Sequence, residues 1–312
     1  MTDEKLKISQ KEPENQKKNP FEKKFRQSLK PARRGAAPEG YTIIYNSMQK
    51  VRPKKALGQH FLTDLSVAER IASTLDSFAG MPVIEVGPGM GVLTRFLLDK
   101  GHDLDVVEID GESVEYLRAE FPGLSEEHII AKDFLKLDLG ALYPGRKFCV
   151  IGNYPYNISS QIFFHVLEWK DECVCCSGML QKEVAERIAA KEGTKARGIL
   201  SVLLQAWYDV EYLFTVDENV FNPPPKVKSG VIRLTRNAVT DLGCDPARFK
   251  AVVKTTFGQR RKTIRNSAKS LLPPGAPMPD SPLMALRPEQ LSVAQFVELT
   301  NLLSEIRVKG EE

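Results

Sequence analysis

The sequence predicts a doubly wound α/β domain followed by a small helical domain. Three observations carry that expectation. Short apolar runs alternate with helical periods from residue 63 to about residue 236, and such alternation builds a parallel sheet with helices on both faces. The first run opens directly onto a glycine loop, Gly87-Pro88-Gly89-Met90-Gly91, a common joint between a strand and a helix at a ligand site. Beyond Arg236 the strand-like runs stop and helical periods remain.

The elements follow in order. Residues 1–47 are charged, broken by Pro13, Pro20, Pro31 and Pro38, and lack a sustained apolar period, so they read as a disordered basic extension. Asp64 can cap a helix whose apolar face includes Val67, Ile71 and Leu75. Met81–Val86 is a short apolar strand, and the helix after the glycine loop runs through Leu93, Phe96 and Leu97. Leu104–Ile109 reads as the second strand, His128–Ala131 as the third and Phe148–Ile151 as the fourth, with helices at Ser113–Glu120 and Ser159–Leu167 between and after them. Glu172–Leu180 looks like a further buried strand, and β-rich runs near Val210–Val216 and Val231–Leu234 can close the sheet edge. Helices are then expected at Phe249–Phe257, Arg261–Leu271 and Val293–Ile306, the last with a capping box from Ser292 and Gln295. The predicted organisation is an extension over 1–47, an α/β domain over 48–236 and a helical domain over 237–312.

Composition excludes several classes. At 42% hydrophobic and 27% charged, the 312 residues are those of an ordinary globular chain, not a collagen, a wholly disordered chain or a disulfide-stapled miniprotein. No run approaches the ~18 apolar residues of a transmembrane helix, and no apolar secretory signal opens the chain. The five cysteines are odd in number and suggest neither a disulfide framework nor a metal site; Cys173, Cys175 and Cys176 read as buried small hydrophobes. This usage fits a reducing cytoplasm. The four scattered histidines form no metal-ligand spacing.

The net charge of +4 hides a segregated distribution. Residues 1–55 hold 15 Lys/Arg against 6 Asp/Glu, residues 56–225 hold 14 against 26, residues 226–269 hold 12 against 2, and residues 270–312 hold 3 against 6. An acidic body between two basic segments points to a polyanion such as nucleic acid.

Glycines let a ligand approach bare backbone amides, although many such turns need glycine for packing alone. A dinucleotide fingerprint would place glycine where Val92 stands, which counts against NAD and FAD. Glu108 and Asp110 end the second strand ~20 residues past the loop, where an acid can accept hydrogen bonds from ribose hydroxyls. Asp133 follows the third strand, where it can read an adenine amino group or simply cap a helix. Loop and acids on three successive strand ends suit a cofactor with ribose and adenine but no pyrophosphate. S-adenosylmethionine fits.

The fourth strand ends in Gly152-Asn153-Tyr154-Pro155-Tyr156-Asn157. An exocyclic adenine amine is a poor nucleophile, because its lone pair is delocalised into the ring. The Asn153 amide oxygen and the Pro155 carbonyl can each accept one of its N–H bonds, aiming the lone pair at a methyl donor. Tyr156 offers a flat face for an unstacked base.

These residues resemble the KsgA/RsmA family of ribosomal RNA adenine N6,N6-dimethyltransferases. The resemblance runs from about Lys54 to Ile306. It includes Leu57 to Leu62, Glu85 to Gly91, Asn153 to Ser159, Met179 to Val184, Gly198 to Leu204, Phe221 to Val227 and Phe257 to Asn266. It implies a Rossmann-like methyltransferase sheet, S-adenosyl-L-methionine as cofactor and S-adenosyl-L-homocysteine as product. His60, Leu62, Gly87 and Gly89 would hold the cofactor, with Glu108 on the ribose and Asp133 on the adenine. Asn153 would serve cofactor and target amine alike, Pro155 the amine, and Tyr156 and Phe221 the two faces of the target base. Lys226, Lys228, Arg260, Arg261, Lys262 and Arg265 would grip RNA phosphates, and no metal is implied. The implied substrate is small-subunit ribosomal RNA in the immature 30S subunit, dimethylated on two adjacent adenosines near its 3′ end. The enzyme would be a cytoplasmic monomer away from membranes. His60 stands where the family often has Asn, and Tyr154 where Leu is common. Two other readings compete: a related methyltransferase of large-subunit RNA, and an assembly factor for which methylation is secondary.

Overall fold

The computed structural model describes residues 51–306, so the expected extension over 1–47 lies outside the described residues. The chain builds a seven-stranded sheet from β2 (Pro82–Val86), β3 (Asp103–Val107), β4 (Ile129–Ile130), β5 (Phe148–Asn153), β6 (Cys173–Gln181), β7 (Tyr208–Val216) and β9 (Ser229–Arg236). Their spatial order is β4-β3-β2-β5-β6-β9-β7. The first five are parallel, whereas β9 runs antiparallel between β6 and β7. β2 is buried along its length, as a central parallel strand must be. A separate ladder pairs β1 (Phe61–Leu62) with β8 (Phe221–Asn222), setting Leu62 opposite Phe221.

Strand order explains where a ligand can sit. From β2 the chain moves outward to β3 and β4, then returns to β5 on the other side of β2. The crossovers on the two sides leave a crevice outside the carboxyl ends of β2 and β5.

Helices cover both faces. On one lie α1 (Leu65–Ala72), α2 (Val92–Asp99) and α3 (Gly111–Glu120), over a core that includes Ile71, Leu97, Val106 and Leu117. Asp64 caps α1 as expected, accepting the Ser66 and Val67 amides at 2.9 and 3.4 Å. The other face carries α4 (Leu139–Leu142), α5 (Ser159–Glu168), α6 (Lys182–Ala189) and α7 (Ile199–Gln205). The C-terminal helices α8 (Pro246–Gly258), α9 (Ile264–Ser267) and α10 (Val293–Glu305) extend that layer. Phe249, Phe257 and Phe296 lie in the same core as Leu203, Leu204 and Trp207.

The single helix expected over Arg261–Leu271 is broken. Only Ile264–Ser267 is α-helical, with a 3₁₀ turn at Lys269–Leu271. The Ile264 amide donates to Leu286 at 2.7 Å and not to a preceding turn. The Ser267 hydroxyl bonds back to Thr263 at 3.1 Å, a local competitor of the helix ladder.

Two glycines let β5 and β6 close around Tyr154. A side chain at Gly178 (φ 150°) would run into the Gly152 carbonyl and the tyrosine ring. Tyr154 is thereby enclosed, its hydroxyl donating to Ser177 at 2.6 Å. Cys173 and Cys176 stand at C-x-x-C spacing on β6 but are wholly buried among apolar side chains. Among the described residues no cluster of three or more His, Cys, Asp or Glu could hold a metal, and no helix is long and apolar enough to cross a membrane.

Candidate active site

A cavity of about 360 Å³ occupies the crevice, a size typical of small-molecule sites. Gly87, Gly89, Glu108, Asp133, Asn153, Pro155 and Tyr156 line it, and His60 and Leu62 close it from the β1 side. The structure therefore brings together the predicted residues from four strand ends and the Leu57–Leu62 segment.

The glycine loop is tied to the second strand. The Gly89 amide donates to a Glu108 oxygen at 3.1 Å, while the other oxygen accepts the Ile109 and Asp110 amides at 2.9 Å each. Gly89 has φ 56°, and a Cβ there would press on the Phe61 ring at 3.0 Å. The loop thus presents bare backbone to the cavity. Burial pushes the Glu108 carboxyl above its ordinary range, and the three backbone bonds oppose it. Asp133 both caps a 3₁₀ turn, through the Leu135 amide at 3.1 Å, and faces the cavity.

Asn153 has a defined orientation. Its Nδ2 donates to the His60 carbonyl at 3.1 Å, leaving Oδ1 as the acceptor. The Pro155 carbonyl accepts the Ile158 amide at 3.2 Å, which leaves it a second lone pair. The Tyr156 hydroxyl pairs with Ser229 at 2.5 Å, and the His60 ring lies 5.4 Å from the Tyr156 ring at an interplanar angle of 32°. Burial pushes the Tyr156 phenol above its ordinary pKa, and the Ser229 bond opposes that rise.

The segment before β1 is strapped across the cavity. Lys54 bonds to Asp110 and lies 3.1 Å from Glu112. His60 Nδ1 donates to the Pro223 carbonyl at 2.8 Å. Burial pushes the Asp110 carboxyl up, but bonds from Lys54, Ser113 and Gln59 outweigh it and hold the group below its ordinary value.

Phe221, expected to cover the target base, is fully buried and is not among the residues lining the cavity. Its pairing with Leu62 turns the ring into the core under α1. The basic residues are divided. Lys226 and Lys228 are exposed on the turn after β8, beside Pro223. Arg260, Arg261, Lys262 and Arg265 lie around the α8–α9 junction and line no part of the cavity. Arg260 donates to the Lys195 carbonyl and sits 3.8 Å from Glu289.

Sequence reasoning did not single out Glu85 or Ile109 among the residues that line the cavity. Glu85, at the end of β2, is 1% exposed and accepts the Thr94 hydroxyl at 2.7 Å. Burial pushes its carboxyl up to about 8. An acid inside an apolar run was its available signal. Ile109 is 59% exposed at the cavity edge; its position next to Glu108 was the clue.

A profile of the ribosomal RNA adenine dimethylase family matches residues 50–305. The small-subunit ribosomal RNA methyltransferase A of Parabacteroides distasonis is 68% identical over 253 residues, covering 81% of this chain and 94% of the relative. Its counterpart from Bacteroides thetaiotaomicron is 63% identical over 258 residues, covering 83% and 96%. Among solved structures, a dimethyladenosine transferase from Plasmodium falciparum superposes with a TM-score of 0.63 at 22% identity, covering 78% of this chain and 97% of that one. The 23S rRNA methyltransferase ErmE reaches 0.57 at 27% identity, covering 78% and 100%. With this match over most of its length, the chain belongs to the ribosomal RNA adenine dimethylase family.

Proposed function

We propose that the protein transfers methyl groups to the N6 amines of two adjacent adenosines near the 3′ end of small-subunit ribosomal RNA, two to each. The observation that carries this reading is the Asn153 amide, whose donor is engaged by His60 so that its acceptor remains for a target amine. S-adenosylmethionine is the cofactor and, when bound, supplies an electrophilic methyl on a sulfonium. The residues present fit it: glycines open backbone to the cavity, and Glu108 and Asp133 offer acceptors to ribose hydroxyls and an adenine amine.

Each residue then has a part. Asn153 Oδ1 and the Pro155 carbonyl accept the two N–H bonds of the target amine, which concentrates its lone pair towards the methyl. Tyr156 supports the base, its ring fixed through Ser229. The methylated amine is acidic and loses its proton to water, so no strong base is required. Lys226, Lys228, Arg260, Arg261, Lys262 and Arg265 hold phosphates. The enzyme acts as a cytoplasmic monomer on the immature 30S subunit.

Purified, unmodified small subunits test the reading, with products mapped by mass spectrometry. The native chain should yield dimethyladenosines in small-subunit RNA, and isolated large subunits should accept none. Asn153→Ala should lower the methylation rate by about 10²–10³-fold, with an unchanged unfolding transition. A fully active variant would overturn the role of Asn153, and methyl transfer to large subunits alone would overturn the substrate.

A further inference from the structure

Among the described residues two large hydrophobic side chains stand exposed: Ile109, at the cavity edge, and Val227, 45% exposed. A lone exposed valine is ordinary. The placement of this one is not. Val227 lies on the turn from Pro223 to Lys228, between β8 and β9. Both ends of that turn are fixed to the active-site rim. The Pro223 carbonyl accepts the His60 ring N–H at 2.8 Å, and Ser229 holds the Tyr156 hydroxyl at 2.5 Å. Pro225 is buried within the turn, and the Lys228 carbonyl accepts the Lys182 amide at 2.9 Å. Val227 is two residues from Ser229, which keeps the two Cα atoms within about 7 Å. Its chain neighbours are both cationic. Lys226 is exposed and has no ion-pair partner among the described residues, while Lys228 is half-exposed on Asp217 at 3.1 Å.

A stiff apolar tip between two ammonium groups, on a turn anchored to the base-supporting tyrosine, suits one task. A base that reaches Asn153 and Tyr156 must leave its stack. Proteins that open a stack commonly insert an apolar side chain and hold the phosphates on either side. Valine is β-branched and has little rotamer freedom to lose on contact.

We infer that Val227 is a wedge, packing on the nucleobase next to the target adenine while Lys226 and Lys228 take the flanking phosphates. The inference rests on the adenine-methylation reading and adds a binding contact outside the cofactor cavity. It also gives the second of two adjacent adenosines a defined resting place while the first occupies the site.

The test uses the full chain, S-adenosylmethionine and small-subunit RNA carrying 2-aminopurine beside a target adenosine. Native protein should raise the fluorescence as the neighbour unstacks. Val227→Ser should remove most of that rise and increase KM for RNA about tenfold, equivalent to weaker substrate binding, with cofactor affinity and unfolding temperature unchanged. Val227→Leu should restore both signals. A native fluorescence rise and native KM in Val227→Ser would overturn the wedge, as would a Val227→Leu variant no better than serine. Failure of the native chain to methylate small-subunit RNA would instead overturn the underlying reading.

Discussion

At the scale of single residues, the site depends on which half of a polar group is already engaged. The Asn153 donor is engaged by a carbonyl, so the acceptor is free; the Glu108 oxygens receive three backbone amides, so the loop is held against the second strand. Glu85 is the contrasting case, a buried carboxyl facing another acid, Glu108, with the Thr94 hydroxyl as its hydrogen-bond donor. Unfolded, its carboxyl ionises near the ordinary 4.5; folded, near 8. Between those values the folded chain keeps a proton that the unfolded chain has lost, so stability falls as pH rises. Glu85→Gln retains an acceptor for Thr94 and removes that dependence. The variant should gain in Tm over the native chain as pH rises from about 5 to 8, and parallel Tm profiles would show that Glu85 is already ionised when folded. Asn153, Pro155 and Tyr156 were legible because their chemistry is explicit in the sequence. The burial of Phe221 was not legible, because a ring beside a proline run looks available and its place in the core depends on packing with residues far along the chain.

At the scale of elements, legibility followed length and period. The five parallel strands announced themselves as apolar runs, and the capping box of α10 is present as expected. The Ser292 hydroxyl accepts the Gln295 amide at 3.2 Å, and the Gln295 side chain accepts the Ser292 amide in return at 2.9 Å. Ser292→Ala should therefore destabilise the protein by about 1 kcal/mol, read as a lower midpoint in urea with unchanged slope. Helices α6 and α7 were not legible. α6 is amphipathic, with Ala185 and Ile188 buried on one face, but spans only two turns, whereas α7 is apolar nearly all round and displays no amphipathic period. The break at Thr263 is likewise invisible locally, because the amide of Ile264 is claimed by Leu286, far along the chain.

At the scale of the whole molecule, charge and function divide along the chain. The acidic stretch 56–225 contains the cavity, and the basic stretch 226–269 contains both the wedge turn and the α8–α9 junction. Counterion release makes the second stretch measurable. Neutralising Arg260, Arg261, Lys262 and Arg265 should weaken RNA binding across sequences. It should also reduce the slope of log affinity against log salt by roughly 0.7–0.9 for each phosphate no longer neutralised. An unchanged slope would place the RNA elsewhere. The central strands β5 and β6 carry a different consequence. Cys149, Cys173, Cys175 and Cys176 are all fully buried there, and burial drives the Cys176 thiol up to about 12 and raises that of Cys173 well above its ordinary value. Thiolate, not thiol, reacts with peroxide, glutathione disulfide or alkylating agents. The folded enzyme is therefore blind to oxidants through its core, with half-buried Cys244 its most accessible sulfhydryl among the described residues, and oxidative damage to the centre of the sheet must wait for the chain to open.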